Sequence, residues 1–133
     1  MKRYRLLKSQ FDNASRLAGK SAKINGTEIC GLLVDNGFFI ELVHVRNKSR
    51  RGGGFSFYLN EIRAIQKMAK TFDHEILGTF HSHPVGLPEP GKSDRTYALD
   101  NSVMLIFDVM GKKAGLWRIK NKKALPLEFD LIS

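Results

Sequence analysis

ILGTFHSHP, residues 76–84, is an apolar run that leads directly into two histidines. A short apolar run of this kind predicts a buried strand over residues 76–80. Because side chains at i and i+2 point to the same face of a strand, His81 and His83 should present two imidazoles side by side, with Ser82 facing the other way. Two adjacent imidazoles are a sound start for a metal site. The pair alone also fits two partly exposed imidazoles in a loop.

The residues after His83 predict a stiff path with sharp turns. Proline and glycine recur at Pro84, Gly86, Pro88, Pro90 and Gly91. Proline fixes φ and glycine accepts positive φ, so such a segment turns sharply and keeps its shape. Asp94 then follows as a third hard ligand. Three protein ligands and one open position are what hydrolytic zinc requires, because the open position holds a water that the metal makes more acidic.

Glu28 is the candidate general base. It lies in the strand-like run TEICGLL, residues 27–33, where a carboxylate beside buried apolar residues is unfavourable unless it is paired or functional. The local residues by themselves favour a simpler interpretation, in which Glu28 begins a strand and faces solvent.

Cys30 is the single cysteine, which excludes an internal disulfide and a cysteine-built zinc site. Cys30 is expected to fill space near the sheet.

Hydrophobic periodicity predicts two helices and six strands. The helices span about residues 9–23, with Ser9 suited to cap the first turn, and about residues 60–71. The strands cover residues 28–35, 38–45, 76–80, 103–109, 116–119 and 125–131. Asn36-Gly37 between the first two strands is a strong hairpin signal, and Pro126 suggests that the last strand lies at a sheet edge. We therefore expect an α+β fold in one domain, residues 1–133.

Composition leaves several partner classes open. The chain has 133 residues, 42% apolar, and a formal net charge of +9, which suits one domain with one core. Its first residues lack the apolar stretch of a secretory signal, and no later stretch approaches a membrane span, so we expect a soluble cytoplasmic protein. The basic excess favours nucleic acid, an anionic membrane surface or an acidic protein as partner. No aromatic residues interleave the basic clusters as they do in single-strand binders.

Two separate stretches together resemble the JAMM zinc peptidases, also called MPN-plus or JAB-domain proteins. These stretches are Glu28-Ile-Cys-Gly-Leu-Leu and Gly78-Thr-Phe-His-Ser-His-Pro84. The family's pattern is a glutamate, then His-Ser/Thr-His, seven residues that begin with proline, a serine, two residues and an aspartate. Counted from Pro84, the seven end at Pro90 and Asp94 falls where the aspartate should. The resemblance implies a single-domain mixed β-sheet flanked by helices, with the JAB/MPN (cytidine-deaminase-like) architecture and the prokaryotic stand-alone type.

The resemblance also implies a reaction. By it, His81, His83 and Asp94 bind zinc, and Glu28 takes a proton from the bound water and passes it to the leaving amine of a peptide or isopeptide bond.

One position departs from the family's pattern. Where the family has its motif serine, which helps to stabilise the oxyanion, this chain has Gly91. Ser82 and Ser93 are nearby candidates for an oxyanion or loop role, but neither occupies the matching place. Removing one oxyanion donor lowers turnover by about 100- to 1,000-fold, so the resemblance is compatible with a slow enzyme.

The resemblance implies protein partners. These are a ubiquitin-like or sulfur-carrier protein whose Gly-Gly tail reaches the metal as an extended strand, and an adenylating E1-like enzyme. Arg50 and Arg51 are candidates for a substrate loop that attracts an acidic protein, although a solvated basic loop is the more frequent outcome for such residues. Two other functions stay open. Gly91 favours a catalytically weak or inactive MPN-type interaction module, and the net charge favours a nucleic-acid-associated JAB protein.

Overall fold

The structure is a computed structural model that describes residues 3–49, 54–84, 86–109 and 112–133, without the side chain of Asn25. The described residues form eight strands and three helices. In chain order these are β1 (Tyr4–Leu7), α1 (Lys8–Asn25), β2 (Cys30–Asp35), β3 (Ile40–Val45), α2 (Leu59–Thr71), β4 (Glu75–His83), α3 (Lys92–Tyr97), β5 (Val103–Asp108), β6 (Lys113–Lys120), β7 (Lys123–Leu127) and β8 (Phe129–Ile132).

The strands form one mixed sheet in the order β7-β6-β5-β4-β2-β3-β1-β8. β1 pairs in parallel with β3 and β8, β4 pairs in parallel with β5, and the other neighbours are antiparallel. Only Glu128 separates β7 from β8, although these strands lie at opposite ends of the order. The sheet must therefore curl until its ends approach each other. A hydrogen bond from Arg118 in β6 to the hydroxyl of Tyr4 in β1 spans the two halves directly.

Helix α1 packs against both halves of the curled sheet. Ala14 and Ala18, one helical turn apart, are fully buried, and their small side chains let the helix lie close to the strands. The ring of Phe11 lies 5.2 Å from that of Phe107 in β5 and 5.9 Å from that of Phe129 in β8. These residues belong to the main hydrophobic core or pack against it. The predicted α+β fold, a mixed sheet flanked by helices, is confirmed.

The predicted helices correspond to α1 and α2, but the predicted cap is wrong. Leu7 stands at the N-cap of α1 and makes no side-chain cap, while Ser9 lies inside the first turn. β1 runs directly into α1, and the hydrophobic pattern did not predict this strand. The helix α3 was also not predicted. Among the described residues, no helix has both the length and the apolar character needed to cross a membrane.

Two strand predictions need correction. Residues 125–131 were predicted as one strand, but they form parts of β7 and β8, which pair with different neighbours on either side of Glu128. Pro126 does lie in a strand at one end of the sheet order, as predicted. The hairpin of β2 and β3 is confirmed, with Asp35 paired to Ile40 across a four-residue turn. Glu28 was placed in the first of these strands, but β2 begins only at Cys30.

Candidate metal centre

The C-terminal part of β4 brings two imidazoles together in the middle of the sheet. β4 lies between β2 and β5 in the sheet order, so both of its edges are paired. His81 Nε2 and His83 Nε2 are 3.1 Å apart, as expected for two residues on one face of a strand. His81 is fully buried, and the ring of Phe55 stacks on it at 4.6 Å between centroids. Paired edges and a stacked ring together hold His81 in place.

Asp94 completes a three-residue cluster from the first turn of α3. Its Oδ1 lies 3.4 Å from His81 Nε2, and its Oδ2 lies 3.3 Å from His83 Nε2. The backbone N–H of Gly91 donates to Asp94 Oδ2 at 2.9 Å, which fixes the carboxylate. Asp94 was expected on a stiff loop, but it is on a short helix whose N-cap residue is Gly91.

The spacing of this cluster fits a tetrahedral zinc site. In such a site the metal–ligand bonds are about 2.0–2.1 Å long, so neighbouring ligand atoms are about 3.4 Å apart. The three distances between His81, His83 and Asp94 are 3.1, 3.3 and 3.4 Å. Asp94 makes its two contacts through different oxygens, Oδ1 to His81 and Oδ2 to His83, and both contacts are close to this spacing.

Hydrogen bonds behind the cluster orient its lone pairs. His83 Nδ1 lies 2.9 Å from the carbonyl oxygen of Leu87, so Nδ1 carries the proton and Nε2 keeps its lone pair. The indole of Trp117 donates to the carbonyl oxygen of Pro88 at 2.8 Å, which ties the same segment to β6. Among the described residues, the buried Nδ1 of His81 has no hydrogen-bond partner. The lone pair of His83 Nε2 and the Asp94 carboxylate repel each other unless a proton or a metal ion lies between them, so this donor set fits a divalent metal.

Glu28 lies beside this cluster in the connection between α1 and β2. Its side chain is buried, and one ligand atom from each of Glu28, His81 and His83 lies within 4.8 Å of the others, so these three groups could also hold a metal ion. The contacts of Asp94 with the two histidines are shorter, at 3.3–3.4 Å, and match the zinc spacing better. The solvent-facing interpretation of Glu28 is therefore wrong: the side chain faces the cluster from a buried position.

A family model matches most of the chain. The model for prokaryotic homologues of the JAB domain matches residues 12–120. The chain belongs to the prokaryotic JAB family. This confirms the resemblance that the two sequence stretches indicated.

Solved structures share the fold of this JAB domain. The solution structure of a protein from Desulfitobacterium hafniense is 24% identical with a TM-score of 0.80, and the match covers 98% of this chain and 93% of that one. A JAB1/MPN domain protein from Archaeoglobus fulgidus is 14% identical with a TM-score of 0.61, covering 99% and 100%. A structure described as a metalloprotease-like zinc site in the proteasome and signalosome is 12% identical with a TM-score of 0.56, also covering 99% and 100%. No curated protein matches the chain.

Electrostatics favour the metal-binding protonation states of two groups of the JAB domain, Asp94 and His81. Burial by itself raises the pKa of Asp94, but its hydrogen bonds to His81 and His83 outweigh burial and hold that pKa well below its usual range. Burial lowers the pKa of His81, whereas the hydrogen bond to Asp94 raises the pKa of His83. At neutral pH the JAB domain therefore presents an ionised carboxylate and a neutral buried imidazole, which are the forms that bind metals.

The pKa of Glu28 suits proton transfer. Burial raises it from 4.5 to about 7, although the nearby His83 partly opposes this effect. A carboxylate with a pKa near the working pH can accept a proton and release it again within one reaction.

Some of the other residues that were predicted to contribute to the site line a cleft beside the metal cluster, and others do not. Gly91 and Ser93 line a cleft of ≈ 380 Å³ together with Glu28 and Asp94. The Ser82 hydroxyl accepts a hydrogen bond from the Ile29 N–H at 2.9 Å. Arg50 and Arg51 lie outside the described residues, so their role as a substrate loop stays a prediction.

Cys30 is close to the site in sequence but is not suited to metal binding. Its thiol is buried and donates to the carbonyl oxygen of Val45 at 3.8 Å. Burial raises the pKa of this thiol to about 12, so the thiolate form is scarce at neutral pH. The thiol fills space in the sheet, as the sequence analysis expected.

Three residues that support the site were not predicted from the sequence. Phe55 stacks on His81, Trp117 holds the segment before Asp94, and Asn47 bonds to the backbone of Glu28. The aromatic pair Phe55 and Phe57 before α2 was a visible signal for the first. The contacts of Trp117 and Asn47 join residues 29 and 19 positions apart, and no local pattern predicts such pairs.

Proposed function

We propose that this JAB domain is a zinc-dependent peptidase or isopeptidase. The observation that carries the proposal is the convergence of His81, His83 and Asp94 at 3.1–3.4 Å beside the buried carboxylate of Glu28. In such a site zinc acts as a Lewis acid and lowers the pKa of a water molecule toward neutrality. In the proposal, His81, His83 and Asp94 hold the metal.

Glu28 is assigned to proton transfer. Its carboxylate takes a proton from the attacking water and returns it to the amine that leaves when the C–N bond breaks. In the metal-free protein burial raises the pKa of Glu28 to about 7, and the same burial favours a carboxylate that can take up a proton and return it. Burial of the carboxylate also removes competing water, which strengthens its interactions in the site.

Gly91 limits the expected rate. It has no side-chain hydroxyl, and its backbone N–H already donates to Asp94 Oδ2 at 2.9 Å. Gly91 therefore offers no donor that could stabilise an oxyanion in the way that the family's serine does. We therefore propose a slow or selective enzyme. Loss of one oxyanion donor lowers turnover by about 100- to 1,000-fold, so its turnover should be lower than that of a relative with the serine by up to this factor.

The surface around the site supports a protein tail as substrate. The cleft of ≈ 380 Å³ adjoins a larger groove of ≈ 550 Å³, which is lined mainly by residues of α2, α3 and β4. Phe55, Ser93 and Asp94 belong to both, so an extended chain could run from the groove to the metal. We propose a ubiquitin-like or sulfur-carrier protein with a Gly-Gly tail, because glycines pass where side chains would not. The net charge of +9 favours an acidic carrier. An adenylating E1-like enzyme is then the proposed source of the carrier conjugates.

The test compares zinc binding and cleavage in matched variants. Metal-free protein is loaded with zinc and assayed on Gly-Gly-tailed carriers joined to a lysine side chain or to a peptide. Wild type should bind about one zinc per chain and cleave. Glu28→Gln should keep the zinc but lose at least about 100-fold in kcat, because the proton acceptor is gone. His83→Ala should lose zinc and cleavage together.

The control is Glu89→Gln, which removes an exposed carboxylate from the segment between His83 and Asp94. It should match wild type in both measurements. Full activity in Glu28→Gln would remove Glu28 from the chemistry. A wild-type protein that binds zinc and a carrier but cleaves no conjugate would instead support the non-catalytic interaction module.

A further inference from the structure

Asn47 makes four hydrogen bonds at the base of the segment that follows β3. Its Nδ2 donates to the carbonyl oxygens of Glu28 at 3.0 Å and Gly54 at 3.1 Å. Its Oδ1 accepts from the N–H groups of Ser49 at 2.9 Å and Ser56 at 3.2 Å. Only one orientation of the amide satisfies two acceptors on one side and two donors on the other. One side chain therefore joins the backbone of Glu28 to residues on both sides of the segment 50–53.

Glu28 needs such support because it lies outside any strand. Its neighbour Ile29 is held by Ser82 of β4, which accepts from the Ile29 N–H at 2.9 Å and donates its own N–H to the Ile29 carbonyl at 3.1 Å. Asn47 holds the preceding carbonyl, that of Glu28 itself. The peptide group that joins Glu28 to Ile29 is thus held at both of its polar atoms, its C=O by Asn47 and its N–H by Ser82.

The same amide also supports a second group of the site. Gly54, whose carbonyl accepts from Asn47, directly precedes Phe55, the ring that stacks on His81. Loss of the amide donors would release both the Glu28 backbone and the start of the Phe55 segment. A displacement of about 1 Å in a reacting group can lower turnover by about 100-fold, so small movements matter here.

We infer that Asn47 is a positioning residue that holds Glu28 against the metal cluster. The inference rests on the proposed function, since it concerns the group assigned to proton transfer. Asparagine suits the position because its short amide offers two donors and one acceptor. Aspartate keeps the shape and the acceptor for Ser49 and Ser56, but it loses both donors and places negative charge against two carbonyl oxygens.

The test uses Asn47→Asp with Asn36→Ala as its matched control. Asn36 is also an asparagine at the end of the β2–β3 hairpin, where its Oδ1 accepts from the N–H groups of Phe38 and Phe39 at 2.9 Å. Its loss removes two hydrogen bonds at the end of the hairpin far from Glu28. Each variant is measured for zinc content, kcat, KM and amide hydrogen exchange at Ile29, with Leu32 in the middle of β2 as reference.

Asn47→Asp should bind zinc like wild type, keep KM within about twofold, and lose at least about tenfold in kcat. Exchange at Ile29 should rise by at least about fivefold while Leu32 stays unchanged, because only the Glu28 segment is released. Asn36→Ala should change neither kcat nor exchange at Ile29.

Three results would overturn the inference: unchanged kcat in Asn47→Asp, unchanged exchange at Ile29 in that variant, or an equal loss of kcat in Asn36→Ala. The wild-type assay separates this inference from the proposed function. If wild type binds zinc but cleaves nothing, the proposed function fails. Exchange at Ile29 then decides by itself whether Asn47 holds the Glu28 segment.

Discussion

Replacement of Gly91 by serine tests how this JAB domain stabilises developing negative charge. Gly91 occupies the place where the family's pattern has its serine, and it lines the same cleft as Glu28 and Asp94. A serine hydroxyl at this place could donate to the oxyanion of the tetrahedral state. It would contact the planar carbonyl of the substrate less closely, so the gain should appear in kcat rather than in KM.

The backbone accepts this substitution. Gly91 has φ −74° and ψ 176°, which any L-residue adopts without strain. A Cβ built on it would meet Asp94 Oδ2 at 3.7 Å as its nearest neighbour, an ordinary van der Waals contact. Serine is also a favoured N-cap residue, and Gly91 is the N-cap of α3. Asp94 and the zinc it helps to bind should therefore remain in place.

The expected gain follows from the strength of one added hydrogen bond. A hydrogen bond to a charged group contributes about 1.5–3 kcal/mol in a favourable geometry. The surrounding residues are not packed to orient this hydroxyl, so we expect a value just below this range, about 1.4 kcal/mol or about tenfold in kcat.

The assay measures kcat, KM and zinc content for wild type, Gly91→Ser and Gly91→Ala on one carrier conjugate. Gly91→Ala is the matched control, because it adds the Cβ and the same backbone restriction without a hydroxyl. It should keep the zinc and the wild-type kcat. An equal gain in Gly91→Ala, or a flat kcat in Gly91→Ser with zinc retained, would refute the oxyanion argument.

Two further predictions concern Glu28 and Trp117. In metal-free protein the pKa of Glu28 is raised from 4.5 to about 7, so the folded state binds more protons than the unfolded state between these values. The free energy of unfolding of wild type should therefore fall relative to that of Glu28→Gln as pH rises from about 4.5 through 7, by at most about 3 kcal/mol. Parallel curves of unfolding free energy against pH, measured with urea, would contradict this. Trp117→Phe removes the hydrogen bond from the indole to the Pro88 carbonyl, which is worth about 1 kcal/mol. This variant should bind zinc about fivefold more weakly than wild type in a competition with a chelator. An unchanged affinity would assign the indole to packing alone.

Local periodicity accounts for the parts of the site that could be predicted. His81 and His83 share a face because the side-chain repeat of a strand depends only on the backbone of that strand. Their Nε2 atoms do converge, at 3.1 Å. The helices α1 and α2 were predicted for the same reason, since a period of 3.6 residues repeats over the several turns of each helix. The N-cap of α1 was missed because β1 runs into the helix without a polar cap.

Burial of Glu28 could not be predicted from its neighbours. The run around it predicts a strand that begins with a solvent-facing carboxylate, and only contacts with β4, more than fifty residues away, place the side chain in the interior. The helical position of Asp94 was missed for a related reason. α3 has only six residues and no apolar stripe of its own, so packing rather than periodicity decides it.

By itself, the sequence determined which side chains can bind a metal, that two of them share a strand face, and that helices and a sheet make up one α+β fold. Each of these properties is local, because it depends on residue chemistry and on the repeat of a single element. The tertiary structure decided that residues 123–132 divide between two ends of a curled sheet, that Asp94 comes within 3.4 Å of His81, and that Asn47 holds Glu28. These contacts join distant parts of the chain, and their free energy arises only when the strands pair and bury their shared core.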